Sequence, residues 1–488
     1  MSQISVQNLT FAYDGSYDNI FEDVSFQIDT AWKLGFTGRN GRGKTTFLNL
    51  LMGKYEYRGK ITASVKFDYF PYKVADRTLH TQAIVDEICA EYREWELLRE
   101  LSLLEVNVDV LHRPFDTLSG GEQTKVMLAA LFLNQNNFLL IDEPTNHLDL
   151  HGRQTVADYL NTKQGFILVS HDRAFLDGCV SHILSINRAD ITVTRGSFSQ
   201  WWENKQRQDN FELSENRRLK KDIGRLKETA NQKRKWADDL DDTKTGHGNA
   251  RHVIGEKVRK INKRVKNLER RQNVAIEEKS GLLKNIEQAD DLKIFPLKYH
   301  TNNLVSLRDI SISFDDKNVC LGVNFTIEQG DRIALQGKNG SGKTSIIKMI
   351  CGEDVPYTGD IHRGSQLKIS YVSQDTSRLS GSLSDYAEDN NLDESLFKAV
   401  LRQLDFSRVQ FDKDMSDFSG GQKKKVLLAH SLCQPAHLLI WDEPLNFIDV
   451  LSRIQIEGLL LKYQPTILFV EHDKVFTDKI ATKTVYLA

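Results

Sequence analysis

The chain has 488 residues, of which 27% are charged and 40% are hydrophobic, and its formal net charge is -2 at pH 7. This length suits two or three domains, and the composition is typical of a soluble globular protein and excludes a disordered one. The longest apolar runs, such as residues 466–470, are far shorter than the ~20 residues that a membrane helix needs, so we expect no membrane segment.

The N-terminus lacks the basic and apolar blocks of a signal peptide, which predicts that the protein is not exported. The five cysteines show no metal-ligand spacing and are interpreted as buried or free thiols. They are Cys89, Cys179, Cys320, Cys351 and Cys433. A reducing, cytoplasmic location fits both observations.

The first motif that carries chemistry is GRNGRGKT at residues 38–45, which matches the phosphate-binding loop G-x-x-x-x-G-K-[ST]. Its glycines let backbone N–H groups turn around phosphates, the lysine adds a positive charge, and the threonine hydroxyl ligates Mg²⁺. A strand-like apolar run precedes the loop and an apolar helical run follows it, which is the context that the motif requires. The predicted ATP-binding residues here are Gly38, Asn40, Gly41, Gly43, Lys44, Thr45 and Thr46.

Three further motifs follow in the first half of the chain. They are LSGGE at residues 118–122, the carboxylate pair Asp142 and Glu143, and His171. The apolar run FLLI before the carboxylates is typical of a strand buried in a parallel sheet. Such a strand delivers its carboxylates at its C-terminal end, where Mg²⁺ and an attacking water would sit.

Residues 205–290 differ from the sequence on both sides of them. They hold 23 Lys and Arg against 15 Asp and Glu, a net charge of +8, so the remainder of the chain carries about -10. Apolar residues recur at coiled-coil spacing on both sides of a polar, glycine-containing stretch near residues 238–249, which predicts two antiparallel helices with a loop at their tip. Charge pattern alone leaves open whether this hairpin is a solvated spacer or a binding arm.

The second half of the chain repeats every motif of the first half. GKNGSGKT begins at Gly337, FSGGQ contains Ser419, the second carboxylate pair is Asp442 and Glu443, and the second histidine is His472. The offsets are 337-38 = 299, 419-119 = 300, 442-142 = 300 and 472-171 = 301. The unit has therefore been duplicated almost without insertions, and strands alternating with helices predict an α/β fold for each copy.

The order of these motifs resembles that of the ATP-binding cassette ATPases over nearly the whole chain outside the hairpin. The resemblance implies two cassettes that sandwich two ATP molecules with Mg²⁺, each phosphate loop facing the Ser-Gly-Gly motif of the other copy, in a chain expected to be monomeric. It also implies that the aspartates hold Mg²⁺, the glutamates polarise the attacking water, and the histidines contact the γ-phosphate.

The first site would combine the first loop with Asp142, Glu143, His171, Ser419, Gly420 and Gly421. The second would combine Gly337, Asn339, Gly340, Gly342, Lys343, Thr344 and Ser345 with Gln374, Asp442, Glu443, His472, Ser119, Gly120 and Gly121. The metal ligands would be Thr45, Asp142, Thr344, Gln374 and Asp442.

Two aromatic residues are candidates for contact with adenine, and three positions near the motifs differ between the two copies. Tyr13 and Phe314, on early strands before the phosphate loops, are candidates to stack on adenine, although a core or cross-strand aromatic is as good an interpretation. Tyr72 stands where the second copy has Gln374, while Phe418 and Phe447 stand where the first copy has Leu118 and His147. Since head-to-tail pairing would place all three departures at the Lys44 site, we expect the two sites to be unequal.

Tandem cassettes around a charged hairpin, without a membrane segment, resemble the ABC-F proteins. Those bind the ribosome at the tRNA exit site and push the linker toward the peptidyl-transferase centre. The resemblance implies an arm that contacts the P-site tRNA and the large-subunit rRNA, and predicts three regions: cassette 1 at 1–204, linker at 205–290 and cassette 2 at 291–488. The expected RNA contacts are Lys233, Arg234, Lys235, Arg259, Lys260, Lys263 and Arg264.

Short stretches of the first loop, of residues 254–257 and of residues 441–449 look most like Lsa-type antibiotic-resistance ABC-F proteins, which protect ribosomes from lincosamides, streptogramin A and pleuromutilins. The sequence from Tyr72 to Leu118 is too short for the inserted arm of throttle-type factors, and no basic extension follows the second cassette. Three hypotheses stay open: a resistance factor, a translation factor that rescues stalled ribosomes, and a structural or DNA-repair ATPase that uses the hairpin as a spacer.

Overall fold

The computed structural model describes residues 2–13, 19–134, 137–146, 148–187, 190–242, 293–314 and 317–487. It divides the chain into two compact units, one formed by Met1–Ser199 with Asp290–Ala488 and the other by Gln200–Ala289. The first unit contains both copies of the duplicated α/β cassette, so the fold class predicted for them is confirmed.

The first cassette is built from strands β1 to β9 in two sheets. A small antiparallel sheet has the order β2-β1-β4, and a larger sheet has the order β5-β6-β7-β3-β8-β9, parallel except for β9. The strands are β1 Gln3–Phe11, β2 Phe21–Asp29, β3 Lys33–Thr37, β4 Arg58–Ala63, β5 Lys66–Phe70, β6 Asn137–Asp142, β7 Phe166–Val169, β8 His182–Asn187 and β9 Asp190–Arg195. The helices are Lys44–Leu51, Thr81–Ile88, Glu94–Leu103, Gly120–Leu133, Leu150–Thr162 and Arg173–Cys179.

The second cassette repeats this plan. Its antiparallel sheet has the order β11-β10-β13, and its parallel sheet has the order β14-β15-β16-β12-β17. The strands are β10 Asn303–Phe314, β11 Lys317–Glu328, β12 Arg332–Gln336, β13 Tyr357–Arg363, β14 Ile369–Val372, β15 Leu438–Asp442, β16 Ile467–Val470 and β17 Lys483–Tyr486. The helices are Lys343–Cys351, Leu383–Asp389, Glu394–Gln403, Gly420–Cys433, Val450–Tyr463 and Lys474–Ile480.

The strand that carries the second acidic pair is buried on both faces, as its unbroken apolar sequence predicts. Leu438 and Ile440 belong to one hydrophobic core, whereas Leu439 and Trp441 belong to the core on the opposite face of the sheet. Alternate side chains of a strand point to opposite faces, so a strand between two cores has no position for a polar residue until it ends. The acidic pair therefore begins at the point where β15 leaves the cores.

A helix of 45 residues, Phe198–Asp242, lies mostly in the second unit and is about 65 Å long. The predicted boundary at residue 205 falls inside this helix. The predicted loop near residues 238–249 is wrong in its first residues, because the helix continues to Asp242. The rest of that loop and the predicted returning helix lie outside the described part of the chain. Among the described residues, no helix is long and apolar enough to cross a membrane.

Candidate functional site

Each phosphate-binding loop joins a parallel strand to a helix. The first loop runs from β3 into the helix Lys44–Leu51, and the second runs from β12 into the helix Lys343–Cys351. Gly43 and Gly342 precede these helices with φ of 92° and 84°, a conformation that glycine adopts without strain. A Cβ atom at Gly43 would also lie 2.5 Å from Cγ2 of Ile20, so a larger residue would have to displace that side chain.

The lysine of each loop is turned inward. Lys44 Nζ donates hydrogen bonds to the carbonyls of the first two loop residues at 2.8 and 3.2 Å, and Lys343 Nζ does so at 2.8 Å to both of its own. Burial lowers the pKa of both lysines, against the opposing effect of nearby carboxylates. Each loop thus holds an ammonium group where the motif requires one for phosphate binding.

The carboxylate Asp142 ends strand β6 beside the first loop. Its Oδ2 atom accepts hydrogen bonds from Thr45 Oγ1 at 3.0 Å and from Tyr69 Oη at 2.8 Å. Burial and the neighbouring charge of Asp142 raise the pKa of Tyr69, so the phenol stays a donor. The sequence prediction placed Thr45 and Asp142 together but missed Tyr69, whose only signal is its position at the C-terminal end of strand β5.

Glu143 follows Asp142 in a conformation that is unusual for a residue with a side chain. Its φ is 52°, a left-handed value that costs roughly 1–2 kcal/mol, and its amide donates to the Val169 carbonyl at 2.9 Å. His171 Nε2 lies 3.2 Å from Glu143 Oε1, an ion-pair distance, although that oxygen accepts no hydrogen bond. Burial, followed by the charge of Asp142, raises the pKa of Glu143 to about 8, and burial lowers the pKa of His171 well below its usual range.

The second acidic pair has the same backbone but different partners. Glu443 has φ of 48°, and its Oε2 atom accepts hydrogen bonds from Gln374 Nε2 at 2.9 Å and Asn446 Nδ2 at 2.6 Å. His472 Nε2 lies 3.5 Å from Glu443 Oε1. Burial acts to raise the pKa of Glu443, but the contacts with His472, Lys424 and Gln374 outweigh it, and the net pKa is lowered.

Asp442 provides the structural test of whether a cation fits the second site. The side chain is fully buried, and neither carboxylate oxygen accepts a hydrogen bond. Burial raises its pKa to about 6, although the neighbouring Thr344 hydroxyl opposes that rise. A buried carboxylate without partners is costly, whereas carboxylate and hydroxyl oxygens are the ligands that Mg²⁺ prefers. The residues at this position therefore fit the predicted metal.

The first site opens into a cavity of about 580 Å³ that both cassettes line. Asn40 Nδ2 donates across it to the Phe447 carbonyl at 2.8 Å, and Arg39 Nη1 lies 3.2 Å from Asp405 Oδ1. The structure thus brings the first phosphate loop and the second Ser-Gly-Gly motif into one cavity. Its lining includes Asn40, Gly41, Lys44, Thr45, Asp142, Glu143, His171, Ser419, Gly420, Gly421, Lys425 and Phe447.

Both Ser-Gly-Gly motifs begin a helix. The Ser119 hydroxyl accepts a hydrogen bond from the Glu122 amide at 3.2 Å, and the Ser419 hydroxyl accepts one from the Gln422 amide at 3.4 Å. The N-terminus of a helix favours anions because its first amides and its dipole point toward them. Participation of Ser119, Gly120 and Gly121 in the second site stays a prediction.

Tyr72, Phe418 and Phe447 differ from their equivalents in the other copy, and the structure places the three side chains in different surroundings. Only Phe447 lines the cavity, with φ of 63°. Tyr72 lines a neighbouring cavity together with Asp142 and Glu143, and its hydroxyl donates to Glu87 Oε1 at 3.0 Å. Phe418 packs edge-to-face on Phe406 inside the core, and His147 lies outside the described residues. The prediction that all three departures border the first site stays a prediction for Phe418, while Tyr72 lies beside the acidic pair of that site.

Tyr13 lies beside the first loop, as its proposed contact with adenine requires. Its hydroxyl is 2.8 Å from Thr46 Oγ1, and its ring meets the edges of Phe11 and Tyr55 while remaining 42% exposed. An exposed aromatic face next to the loop is available for stacking. The side chains of Phe314 and of the residues predicted to bind RNA lie outside the described part of the chain.

A family model described as ABC transporter matches residues 21–146 and 320–446, one segment in each cassette. The matched segments comprise more than half of the chain and include both phosphate loops, both Ser-Gly-Gly motifs and both acidic pairs. The protein therefore belongs to this family, as a tandem ATP-binding cassette ATPase.

Three curated relatives are similar over almost the whole chain and support its placement in the ABC-F branch. "Ribosome protection protein VmlR" of Bacillus subtilis (strain 168) is 25% identical over 98% of this chain and 85% of its own length. "ABC transporter F family member 5" of Arabidopsis thaliana is 25% identical over 99% of this chain and 75% of its own. "Energy-dependent translational throttle protein EttA" of Haemophilus influenzae (strain ATCC 51907 / DSM 11121 / KW20 / Rd) is 24% identical over 95% and 88%.

Among solved structures, the archaeal ribosome recycling factor aABCE1, in complex with the archaeal ribosomal stalk protein aP1, has a similar fold. Its TM-score is 0.64 at 17% identity, and the match covers 98% of this chain and 87% of that chain. At this identity the likeness concerns the fold alone, and it agrees with two cassettes in one chain.

Proposed function

We propose that this protein is a cytoplasmic, ribosome-associated ATPase that protects the peptidyl-transferase centre from lincosamide, streptogramin A and pleuromutilin antibiotics. The observation that carries the proposal is the similarity to the ribosome protection protein VmlR, which extends over 98% of the chain and so includes the linker. Under this proposal, residues 1–204 and 291–488 are the cassettes and residues 205–290 are the arm that reaches P-site tRNA and large-subunit rRNA from the tRNA exit site.

The chemistry that the site supports is hydrolysis of ATP to ADP and phosphate. Glu143 and Glu443 would orient and polarise the attacking water, because each carboxylate stands next to the predicted metal ligand and faces a histidine. Lys44 and Lys343 would bind the β- and γ-phosphates. Bound Mg²⁺ would supply neutralisation of the phosphate charge, held by Asp142 with Thr45 and by Asp442 with Thr344 and Gln374.

The second part of the proposal is that the linker contacts RNA. A helix of 45 residues provides the length to contact RNA well away from the ATP sites. The net charge of +8 in residues 205–290 suits the phosphate backbones of tRNA and rRNA, with Lys233, Arg234, Lys235, Arg259, Lys260, Lys263 and Arg264 as proposed contacts. The predicted tip, from Trp236 to about Glu256, mixes apolar residues with acids and glycines, a composition that phosphate binding alone does not require.

Drug susceptibility after expression in a sensitive host is the decisive experiment. We expect a raised inhibitory concentration for drugs of the peptidyl-transferase centre, and no change for a drug that acts at another ribosomal site. Replacing residues 240–254 by a Gly-Ser loop of equal length should abolish this resistance while ribosome co-sedimentation and basal ATPase activity remain. Retention of resistance by the loop variant, or no resistance from the intact chain, would contradict the proposal.

A housekeeping translation factor is the second candidate, and the similarity to the throttle protein EttA over 95% of the chain favours it. A protein of that kind would bind ribosomes and alter translation by stalled complexes without changing drug susceptibility. Co-sedimentation that depends on ATP, together with unchanged inhibitory concentrations, would select this function.

A further inference from the structure

Two consecutive lysines lie buried in the helix Gly420–Cys433, whose first residues line the cavity of the first ATP site. Lys424 is 3% exposed and Lys425 is 4% exposed, which is rare for lysine unless its ammonium is paired. Consecutive residues of a helix point about 100° apart, since a turn contains 3.6 residues. The two ammonium groups can therefore serve different partners on two sides of one helix.

Lys425 faces the first site. It lines the shared cavity of about 580 Å³ together with Lys44 and Glu143, and its Nζ atom lies 3.3 Å from Asp449 Oδ2. The beginning of the helix and this lysine are thus both part of the cavity built around the first phosphate loop.

Lys424 faces the second site. Its Nζ atom donates hydrogen bonds to the Ser373 carbonyl at 2.8 Å and to the Asp442 carbonyl at 3.3 Å. Ser373 precedes Gln374, whose amide holds the Glu443 carboxylate, and Asp442 ends the strand that carries the acidic pair. One buried ammonium therefore joins the helix to the two segments that position the water-polarising carboxylate.

The first cassette lacks this connection. Thr124 stands at the equivalent position, 300 residues earlier, and is also buried. A threonine hydroxyl sits directly on Cβ and cannot span the distance that the four-carbon stem of lysine spans. A cavity of about 380 Å³ lies beside Thr124, and Tyr72, Asp142 and Glu143 also line it.

We infer that Lys424 is a positioning residue through which occupancy of the first site raises the hydrolysis rate of the second. Nucleotide at the first site fixes the beginning of the helix Gly420–Cys433, and Lys424 transmits that constraint to the Gln374 loop and the acidic strand of the second site. The equivalent helix of the first cassette carries Thr124, which cannot make this connection, so occupancy of the second site is not expected to raise the hydrolysis rate of the first. The inference rests on the ATPase chemistry alone and needs no ribosome.

The structural part of the inference can be tested in the protein without nucleotide. Amide hydrogen exchange in residues 371–376 should accelerate at least about threefold in Lys424→Met, because the loop loses its buried donor. Lys423→Met is the matched control, since it makes the same chemical change at the adjacent, partly exposed position, and it should leave exchange unchanged. Lys424→Gln, which keeps a polar end on a shorter side chain, is a second variant with the same expectation. Equal exchange in all variants would overturn the positioning role.

Coupling is measured as a ratio of ATPase rates, which loss of stability alone would not change selectively. In the Glu143→Gln background, where only the second site turns over, Lys44→Ala should lower the rate at least about fivefold. The factor by which Lys44→Ala lowers this rate should stay near fivefold when Lys423→Met is also present. It should fall below about twofold when Lys424→Met is present instead. In the Glu443→Gln background, Lys343→Ala should change the rate of the first site less than about twofold. Equal factors in Lys424→Met and Lys423→Met, or equal coupling in both directions, would overturn the inference.

The activity of the double glutamine variant distinguishes a wrong role for Lys424 from a wrong assignment of the catalytic residues. If Glu143→Gln with Glu443→Gln still hydrolysed ATP, the assignment of the two glutamates would be wrong. If the double variant is inactive and the coupling factors are equal, only the role of Lys424 is refuted.

Discussion

The two ATP sites of this chain share their motifs and backbone geometry but differ in the groups around their carboxylates. At the first site Tyr69 donates to Asp142, the predicted metal ligand, and His171 Nε2 lies 3.2 Å from Glu143 Oε1. At the second site, Gln374 and Asn446 both donate to Glu443. Duplication has kept the scaffold of the two sites while the side chains around it have diverged, so equal folds do not imply equal rates.

The pKa values of the two glutamates also differ between the sites. Burial raises the pKa of Glu143 to about 8, whereas hydrogen-bond donors and the charge of Lys424 hold the pKa of Glu443 below its usual range. A general base must be ionised, so the two glutamates begin from different electrostatic environments. The mutations below test this comparison in order of expected effect.

Replacing both Glu143 and Glu443 by Gln should have the largest effect. The amide keeps the shape of the carboxylate but cannot accept the proton of water, so hydrolysis should fall roughly 10³-fold while ATP binding is kept. Phosphate release and equilibrium binding of ATP measure the two quantities. Glu22→Gln, at an exposed position of strand β2, is the control. Near wild-type turnover in the double variant would show that these residues are not the catalytic pair.

The contact between the cassettes contains an ion pair that the duplication does not repeat. Arg173 and Glu457 are both buried and form a two-pronged contact between the cassettes, whereas their equivalents are Lys474 and Ala157. Arg173→Met should lower stability by about 3 kcal/mol, because it leaves a buried carboxylate without this partner. Thermal unfolding measures the loss, and Lys474→Met, at an exposed position, should cost less than about 0.5 kcal/mol.

The double variant Arg173→Met with Glu457→Met distinguishes this explanation from lost packing. Two apolar side chains of similar size remove both charges of this contact, while Asp473 keeps its pair with Arg453 and Lys479, the other partner of Glu457, is about half-exposed. The double variant should therefore be more stable than Arg173→Met alone. A double variant as unstable as the sum of the single variants would contradict the buried-charge account.

The single glutamine variants test the inequality of the sites directly. We expect Glu443→Gln to lower steady-state hydrolysis roughly tenfold more than Glu143→Gln, because the ordered carboxylate with two amide donors belongs to the second site. Rates of phosphate release at equal protein and ATP concentrations decide the order. The opposite order would assign the faster turnover to the Lys44 site.

The smallest expected effect concerns a buried polar cluster of the first cassette. Glu100 accepts a hydrogen bond from Tyr159 at 2.7 Å and also pairs with Lys163, whereas the second cassette has Val400 and Leu459 at positions equivalent to 100 and 159. Glu100→Gln should cost about 1–2 kcal/mol at pH 7. Thermal unfolding measures this cost, and Glu94→Gln, on the same helix, serves as the exposed control.

The pH dependence of this cost has a definite sign. Burial acts to raise the pKa of Glu100, but its donors outweigh burial and the net pKa is lowered. The contribution of the carboxylate is therefore fully present above the ordinary glutamate pKa and is lost as pH falls through the lower, folded value. The difference between wild type and Glu100→Gln should shrink between about pH 5 and pH 3. A constant difference over that range would contradict the carboxylate account.

Local patterns in the sequence were sufficient to predict several structural elements of each site. The phosphate loops and the buried strands before the acidic pairs are specified by neighbouring residues, and the structure has each of them. The contact from Asn40 to Phe447 joins residues 407 positions apart, and no periodicity predicts such a contact. The roles of Tyr69 and Lys424 also required the structure, because their motif positions do not tell which atoms their polar ends reach.

The directions of the side chains at the predicted departures could not be predicted from the sequence. Tyr72 was aligned with Gln374 by its distance from the motifs, but a phenol and an amide differ in length and shape, and the Tyr72 hydroxyl reaches Glu87 instead. Phe418 was aligned with Leu118 and is the same kind of residue, an apolar side chain in the core. Position in a motif identifies the backbone, whereas the direction of a side chain depends on what packs around it.

The amide of each glutamate that we propose to polarise water donates a hydrogen bond to the strand that leads to its histidine. Glu143 N donates to Val169 O and Glu443 N donates to Val470 O, only two residues before His171 and His472. The glutamate and the histidine of one cassette are thus fixed on one pair of hydrogen-bonded strands, and their spacing is a constant of the sheet. Each glutamate–histidine pair therefore comes from one sheet of its own cassette, whereas at the Lys44 site the opposite cassette contributes Ser419, Gly420 and Phe447 to the same cavity.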